Sequence, residues 1–317
     1  MTVIDSKRPV IRVGTRGSRL ALAQTDSVVK ALRNKNPGVR LEQVTIKTAG
    51  DSDRTSPLDR TETAGFFTKQ IEIELLEGRI DIAVHSAKDL PSEPAEGLVI
   101  AAVPPRGPVE DVWISRDGKK LREVGSGSNV GTGSPRRRGM LLYMRPDLTV
   151  NPIRGNVETR INKLRSGECD AIILARAGIV RIGLEGSITE ILSVGDFLSA
   201  PGQGTLAIQA RSDDTATRRV VESIDNSVSH RCLDIERLFL SGLGVGCSAA
   251  VGGLATYEDE RFHLRAAILD NDGKKKMYAH HSIAQDETGQ RLVDEVINRL
   301  ISDGGADLIA RSNEPGE

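Results

Sequence analysis

The stretch IDIAVHSAKD, residues 80–89, places a mostly apolar run directly before a polar turn. A short apolar run bounded by polar residues is typical of a buried strand. In sheets of parallel strands, ligand sites are built by the loops at the carboxyl ends of the strands. The stretch therefore predicts an α/β fold and a candidate site at residues 85–89, although a solvated polar turn would give the same local pattern.

Strand and helix patterns alternate on the amino-terminal side of this stretch. Val10–Thr15 predicts a short buried strand, followed by a helix from near Ser18 to about Arg33. A second strand is predicted over Leu41–Lys47, and residues 67–76 have helical spacing. This alternation predicts a parallel sheet with helices on its faces.

A second unit of the same kind follows residues 103–108, a stretch rich in Pro and Gly that marks a crossing between domains. Residues 130–132 end a strand, and Ser134 can cap a helix that has Pro135 at its first position. Residues 171–174 predict a further strand.

The chain then predicts a return to the first unit and a small final domain. Residues 199–204 contain Gly and Pro and indicate a return crossing, after which residues 206–208 can rejoin the first sheet. The last portion combines one helical stripe, two strands and a final helix, which predicts an α+β domain. The expected domains are residues 1–104 completed by 200–221, residues 105–199, and residues 222–317.

Composition excludes several function classes. The 317 residues carry a formal net charge of −1 and 3% aromatic side chains, so neither a basic field nor stacking platforms for nucleic acid are expected. The sequence shows no apolar run long enough to span a membrane and no export-leader pattern, so we expect neither membrane spanning nor secretion. Three widely spaced cysteines fit a reducing compartment and lack metal-site spacing. We expect a cytoplasmic enzyme with no metal, nucleic acid or membrane partner.

Arginines recur where strands lead into helices. Arg16 and Ser18 follow the first strand, residues 136–138 are three arginines after Ser134, and Arg154 and Arg160 bracket a further turn. Helix starts already favour anions, and guanidinium groups suit carboxylates and phosphates. Any one of these arginines could be a solvated surface charge. Their repetition predicts a polyanionic ligand in the cleft between two sheets.

Cys247 lies in GLGVGCSAA, residues 242–250, where small residues leave room around the thiol. This setting suits an attachment site or a nucleophile, and an unreactive loop cysteine is the alternative. Cys232 falls on an apolar helical stripe and Cys169 precedes a core strand, so both are expected to be buried.

Seven stretches jointly resemble the porphobilinogen deaminase family, the hydroxymethylbilane synthases. They are TRGS (15–18), DIAVHSAKDLP (81–91), VGTGSPRR (130–137), RGNVETR (154–160), DAIILA (170–175), GQG (202–204) and GC (246–247). The resemblance implies two lobes like those of periplasmic binding proteins, with mixed sheets, and a small α+β domain that carries the cysteine.

The resemblance also implies a chemistry. A transferase of this family joins four porphobilinogen units head to tail with loss of ammonia, and water then releases the linear tetrapyrrole hydroxymethylbilane. It carries a dipyrromethane cofactor, here on a thioether to Cys247, and works without metal as a monomer. Asp89 matches the catalytic carboxylate, which stabilises the cation left when ammonia departs.

Further positions are implied to hold carboxylates, since every pyrrole carries an acetate and a propionate. The expected cofactor contacts, besides Cys247, are Lys88, Ser18, Thr132, Ser134, Arg136, Arg137 and Gln203. The expected substrate contacts are Arg16, Arg154, Arg160 and Arg181. Ala64, Gly133 and Ala250 stand where many relatives have Lys, Ser and Pro. None of these departures touches Asp89 or Cys247, so activity is expected.

Two other classes share parts of this pattern. A non-catalytic two-lobed protein that binds a small anion would share the lobes and arginines, but it has no reason to keep the Cys247 loop. An anion-sensing regulatory domain would normally be joined to a DNA-binding segment, which is not recognised in this sequence.

Overall fold

The computed structural model describes residues 10–47, 68–245 and 249–313. The chain divides into two compact units. Unit 1 comprises Met1–Arg106 and Thr205–His230, and unit 2 comprises Gly107–Gly204 and Arg231–Glu317. The division of the chain into three domains remains our proposal.

The strands are β1 (Val10–Arg16), β2 (Arg40–Ile46), β3 (Ile82–Ser86), β4 (Leu98–Ala102), β5 (Asp111–Ser115), β6 (Asn129–Gly131), β7 (Thr149–Asn151), β8 (Ala171–Ala175), β9 (Glu190–Ile191), β10 (Leu206–Arg211), β11 (Val251–Glu258), β12 (Arg261–Leu269) and β13 (Lys276–Ala284). The α-helices are α1 (Arg19–Lys35), α2 (Lys69–Leu76), α3 (Pro135–Met144), α4 (Val157–Arg165), α5 (Arg176–Arg181), α6 (Thr215–Glu222), α7 (Ser227–Leu243), α8 (Gly289–Leu300) and α9 (Ala306–Asn313). None of the helices in the described ranges is long and apolar enough to cross a membrane.

Unit 1 is built on a sheet with the order β2-β1-β3-β10-β4. β1 pairs in parallel with both β2 and β3, as the sequence predicts. β10 rejoins this sheet after the return crossing, which confirms that expectation, but it runs antiparallel to β3 and β4. The parallel pairing predicted for the alternating strands is thus confirmed for β1, β2 and β3, and the antiparallel β10 makes the sheet mixed, as the family resemblance implies.

Apolar residues cover both faces of this sheet. Val13 and Ile82 pack with Leu32 of α1 on one face, and all three are fully buried. Ile71 and Leu75 of α2 cover the other face. Ser18 caps α1, since its Oγ accepts a hydrogen bond of 3.2 Å from the Ala21 N–H.

Unit 2 contains a sheet of similar plan, ordered β7-β6-β8-β5-β9. β6 pairs in parallel with β7 and β8, whereas β5 is antiparallel to β8 and β9. α3 starts as predicted, with Ser134 as its cap and Pro135 in its first turn. Its apolar side packs with the fully buried Trp113 and Phe197.

The C-terminal part of unit 2 is a three-stranded antiparallel sheet, β11-β12-β13, with helices on one face. Its other face packs against the larger sheet's core, since Leu254 and Ala267 share a cluster with Met140. The mixed-sheet α/β units and this small α+β part confirm the predicted fold class.

Glu236 of α7 fastens this part to the returning segment. Its carboxylate is fully buried and accepts hydrogen bonds from the backbone N–H groups of Gly202 and Ala255, at 2.5 and 2.7 Å. Gly204 nearby has a φ of +84°, and a Cβ there would lie 2.6 Å from the Pro108 carbonyl oxygen. Glycine is required at this position because both the backbone angle and the close approach exclude a side chain.

Candidate active site

In unit 1, the predicted site residues follow two adjacent parallel strands. Arg16 ends β1 and Ser18 caps the helix after it, while β3 leads into a 3₁₀ turn, Ala87–Asp89. The carboxyl ends of these strands lie at one edge of the sheet, so the structure brings Arg16, Ser18, Lys88 and Asp89 to that edge.

The turn at Asp89 is held by its neighbours. The Ala87 N–H donates to the Thr205 carbonyl at 3.0 Å, and the Leu90 N–H donates to the Ala87 carbonyl at 3.2 Å. Ala87 and Leu90 are buried, whereas Asp89 between them is exposed and Lys88 is half-buried. The backbone is thus fixed while the Asp89 side chain faces outward, an arrangement suited to presenting a carboxylate to a ligand.

A buried polar cluster that the sequence did not predict lies behind this edge. His85 is 5% exposed, and Gln209 donates a hydrogen bond of 3.0 Å to the buried Glu72 carboxylate. Burial lowers the pKa of His85 to about 4; Gln209 opposes this shift, and the positive charge of Arg16 adds to it. His85 is therefore neutral at physiological pH and adds no charge beside Arg16.

In unit 2, the predicted residues follow three neighbouring parallel strands, β7, β6 and β8. They are Thr132, Ser134, Arg136 and Arg137 after β6, Arg154 and Arg160 after β7, and Arg181 at the end of the helix after β8. These strands end at one edge of the sheet of unit 2, so the structure brings these residues to that edge.

Two hydroxyl groups line the start of α3. Thr132 Oγ1 accepts from the Ser134 N–H at 3.2 Å, and Ser134 Oγ accepts from the Arg137 N–H at 3.4 Å. Both oxygens act as acceptors in these contacts, so the hydroxyl hydrogens can be donated to an anion.

Arg136 and Arg137 point into the protein. Their side chains are 4% and 8% exposed, and both contact Asp111, which is fully buried. Burial lowers the pKa of Arg136, an effect that Asp111 opposes and that the charge of Arg137 increases. Gln203, also fully buried, donates to the Val109 carbonyl and to Asp111. The predicted cofactor contacts at these three residues remain a prediction, and the sequence did not predict Asp111 at all.

Arg160 and Arg181 have a different environment. Arg160 Nε donates to the Gly155 carbonyl at 2.8 Å, and Arg181 Nη2 donates to the Gly204 carbonyl at 2.7 Å. Burial lowers the pKa of each to about 10, and for Arg160 the charge of Arg137 contributes. Within the described residues neither guanidinium is paired with a carboxylate. Among the described residues, these two positive charges are thus partly withdrawn from water and have only carbonyl partners.

Two of the three cysteines, Cys169 and Cys232, lie within the described residues. Cys169 and Cys232 are each 4% exposed, which confirms that both are buried. Cys247 and the run at Ala64 lie outside the described residues. In the part of the chain that the structure describes, no group of three or more His, Cys, Asp or Glu is placed to hold a metal ion.

Comparison with known proteins identifies the family. Residues 11–219 match the model of the porphobilinogen deaminase dipyrromethane cofactor-binding domain, and residues 230–301 match that of the family's C-terminal domain. The chain belongs to the porphobilinogen deaminase family. It is therefore an enzyme, a transferase of tetrapyrrole synthesis with a dipyrromethane cofactor-binding domain.

Members of the porphobilinogen deaminase family match nearly the whole chain. The chain is 42% identical to the porphobilinogen deaminase of Desulforudis audaxviator, over 96% of this chain and 98% of that one. It is 41% identical to that of Thermus thermophilus, over 95% of this chain and 99% of that one. Among solved structures, the periplasmic VFT2 domain of BvgS from Bordetella pertussis is similar with a TM-score of 0.41 at 14% identity, over 68% of this chain and 87% of that one.

We predict that His85 makes stability depend on pH. Its pKa is lower in the folded protein than in the unfolded chain, so protonation favours unfolding. The free energy of unfolding should therefore fall as pH drops from about 6.5 toward 4, by up to about 1.4 kcal/mol per pH unit. Urea unfolding at pH 7 and pH 5 should show a loss about 2 kcal/mol larger in the wild type than in His85→Asn. Equal losses in the two proteins would contradict this prediction.

Proposed function

We propose that this chain joins four porphobilinogen units head to tail with loss of ammonia and releases hydroxymethylbilane by hydrolysis. The observation that carries the proposal is the pair Arg160 and Arg181, partly withdrawn from water and hydrogen-bonded to backbone carbonyls. Guanidinium groups in this state bind carboxylates strongly, and every porphobilinogen unit carries an acetate and a propionate. A growing chain of such units suits the arginine-rich edge of unit 2.

The same donor set fits the dipyrromethane cofactor, which is also a polycarboxylate. When bound, it supplies the pyrrole end to which substrate units are joined. We assign its covalent attachment to the Cys247 thiol, and its carboxylates to Arg137, Thr132, Ser134, Lys88 and Ser18. We also assign Arg136 and Gln203 to the cofactor site, where both side chains are buried.

Asp89 is our candidate for the catalytic carboxylate. Its side chain is exposed on a turn whose backbone is anchored at Ala87 and Leu90. In that position it can stabilise the positive charge that develops on substrate as ammonia leaves, and accept a hydrogen bond from a pyrrole N–H. Lys88, Arg16 and Arg154 are assigned to substrate or cofactor carboxylates. We also propose that the enzyme is a cytoplasmic monomer and that water is the final acceptor.

The anchor assignment predicts a covalent adduct on one cysteine. The intact mass of the purified protein should exceed the sequence mass by one dipyrromethane, and Cys247→Ser should lose both the adduct and turnover. Cys169→Ala, which changes a buried cysteine, should keep the adduct. An adduct that persists in Cys247→Ser would refute the assignment.

The catalytic assignment predicts a separate defect. Asp89→Asn should keep the adduct and the wild-type melting temperature, but lower turnover of porphobilinogen by at least about 100-fold, since it removes the charge that stabilises the developing cation. Glu96→Gln changes an exposed carboxylate on the same connection and should leave turnover unchanged. Near-normal turnover in Asp89→Asn would exclude Asp89 as the catalytic group.

A further inference from the structure

Asp111, the first residue of β5, has no exposed surface and lies at the centre of four polar contacts. Its Oδ1 accepts hydrogen bonds from Arg137 Nε at 3.1 Å and Nη2 at 2.8 Å, and from Gln203 Nε2 at 3.1 Å. Its Oδ2 lies 2.8 Å from Arg136 Nη2. A single carboxylate thus contacts three residues that the sequence assigns to cofactor binding.

Backbone carbonyls complete the fixation of both guanidinium groups. Arg137 Nη1 donates to the Ile173 carbonyl at 3.1 Å, and Arg136 Nη1 donates to the Leu198 carbonyl at 2.7 Å. Each planar guanidinium is therefore held at more than one edge, and its orientation follows from Asp111 and one carbonyl. The N–H groups of Arg137 that are not used in these contacts therefore have a fixed direction, which favours bidentate binding of a carboxylate.

The charge balance also depends on Asp111. Two cationic side chains are buried beside one anion, so the cluster keeps one net positive charge. Without the carboxylate, two desolvated cations would repel each other and the nearby Arg160, whose pKa the charge of Arg137 already lowers. Asp111 therefore keeps the two guanidinium groups in place by neutralising one of their charges.

We propose that Asp111 is a positioning residue for carboxylate binding in this enzyme: it orients Arg137 and Gln203 and balances Arg136, without touching the ligand itself. This inference rests on the proposed ligand role of the arginines. Sequence reasoning missed Asp111 because an acidic residue next to the Pro- and Gly-rich crossing resembles a surface residue.

Asp111→Asn tests the proposal, since it keeps the size and one acceptor but removes the charge. We expect the KM for porphobilinogen to rise about tenfold with a kcat change below about threefold. The fraction of protein that carries dipyrromethane, measured by intact mass, should fall. Leu121→Ala, a cavity variant in the same unit, controls for instability: it should lower the melting temperature without changing KM or cofactor content. Wild-type KM and cofactor content in Asp111→Asn, or the same KM rise in the control, would overturn the proposal.

Two more variants keep the test decisive. If Asp111→Asn does not fold, the double variant Asp111→Asn/Arg136→Gln is used, since it restores one net positive charge in the cluster. The KM of the double variant should be about tenfold higher than that of Arg136→Gln alone. Equal KM values in these two variants would overturn the proposal. Arg137→Gln tests the underlying role of the arginines. Normal cofactor content and KM in Arg137→Gln would refute that role, whereas a defect there with a normal Asp111→Asn would refute only the inference about Asp111.

Discussion

Two buried guanidinium groups in unit 2 share one carboxylate, that of Asp111. Charges taken out of water must be paired and hydrogen-bonded. The two guanidinium groups therefore contact Asp111 at the start of β5 and the backbone carbonyls of Leu198 and Ile173, and the Gln203 side chain also donates to Asp111. β5 and the returning segment are thereby tied to the start of α3. In the described part of the chain Arg160 and Arg181 donate to backbone carbonyls, and under our proposal their positive charge is available to a ligand.

We propose that the two units supply different parts of the chemistry. Unit 2 concentrates guanidinium groups where three parallel strands end, which suits a ligand with many carboxylates. Unit 1 contributes the Asp89 carboxylate on a turn with an anchored backbone, and it keeps His85 behind that turn neutral. A neutral His85 matters because a second cation beside Arg16 would oppose the stabilisation of positive charge that we assign to Asp89.

Much of the fold could be predicted from local pattern. The Ser134-Pro135 start of α3 was predicted because capping chemistry is local, and the return of β10 was predicted because Gly and Pro mark the crossing. The antiparallel direction of β10 was not predicted, because periodicity shows which residues are buried but carries no information on strand direction.

The site was predicted less completely, for a related reason. Arginines at strand ends were recognised as a group, but whether a guanidinium points outward or inward depends on a distant partner, as Asp111 is for Arg136. The burial of polar residues such as Glu72 and Glu236 was not predicted, because a charged residue in a local pattern is expected on the surface. Their partners come from strands and helices far away in the sequence.

The central claim is that the unneutralised arginines of unit 2 bind the carboxylates of the pyrrole chain. The most direct measurement is the KM for porphobilinogen in Arg160→Gln, compared with Arg145→Gln, whose guanidinium is already paired with Asp147. Loss of one charge-assisted hydrogen bond to a ligand corresponds to at least about a tenfold rise in KM, and we predict that rise for Arg160→Gln and none for Arg145→Gln. A wild-type KM in Arg160→Gln would contradict the account.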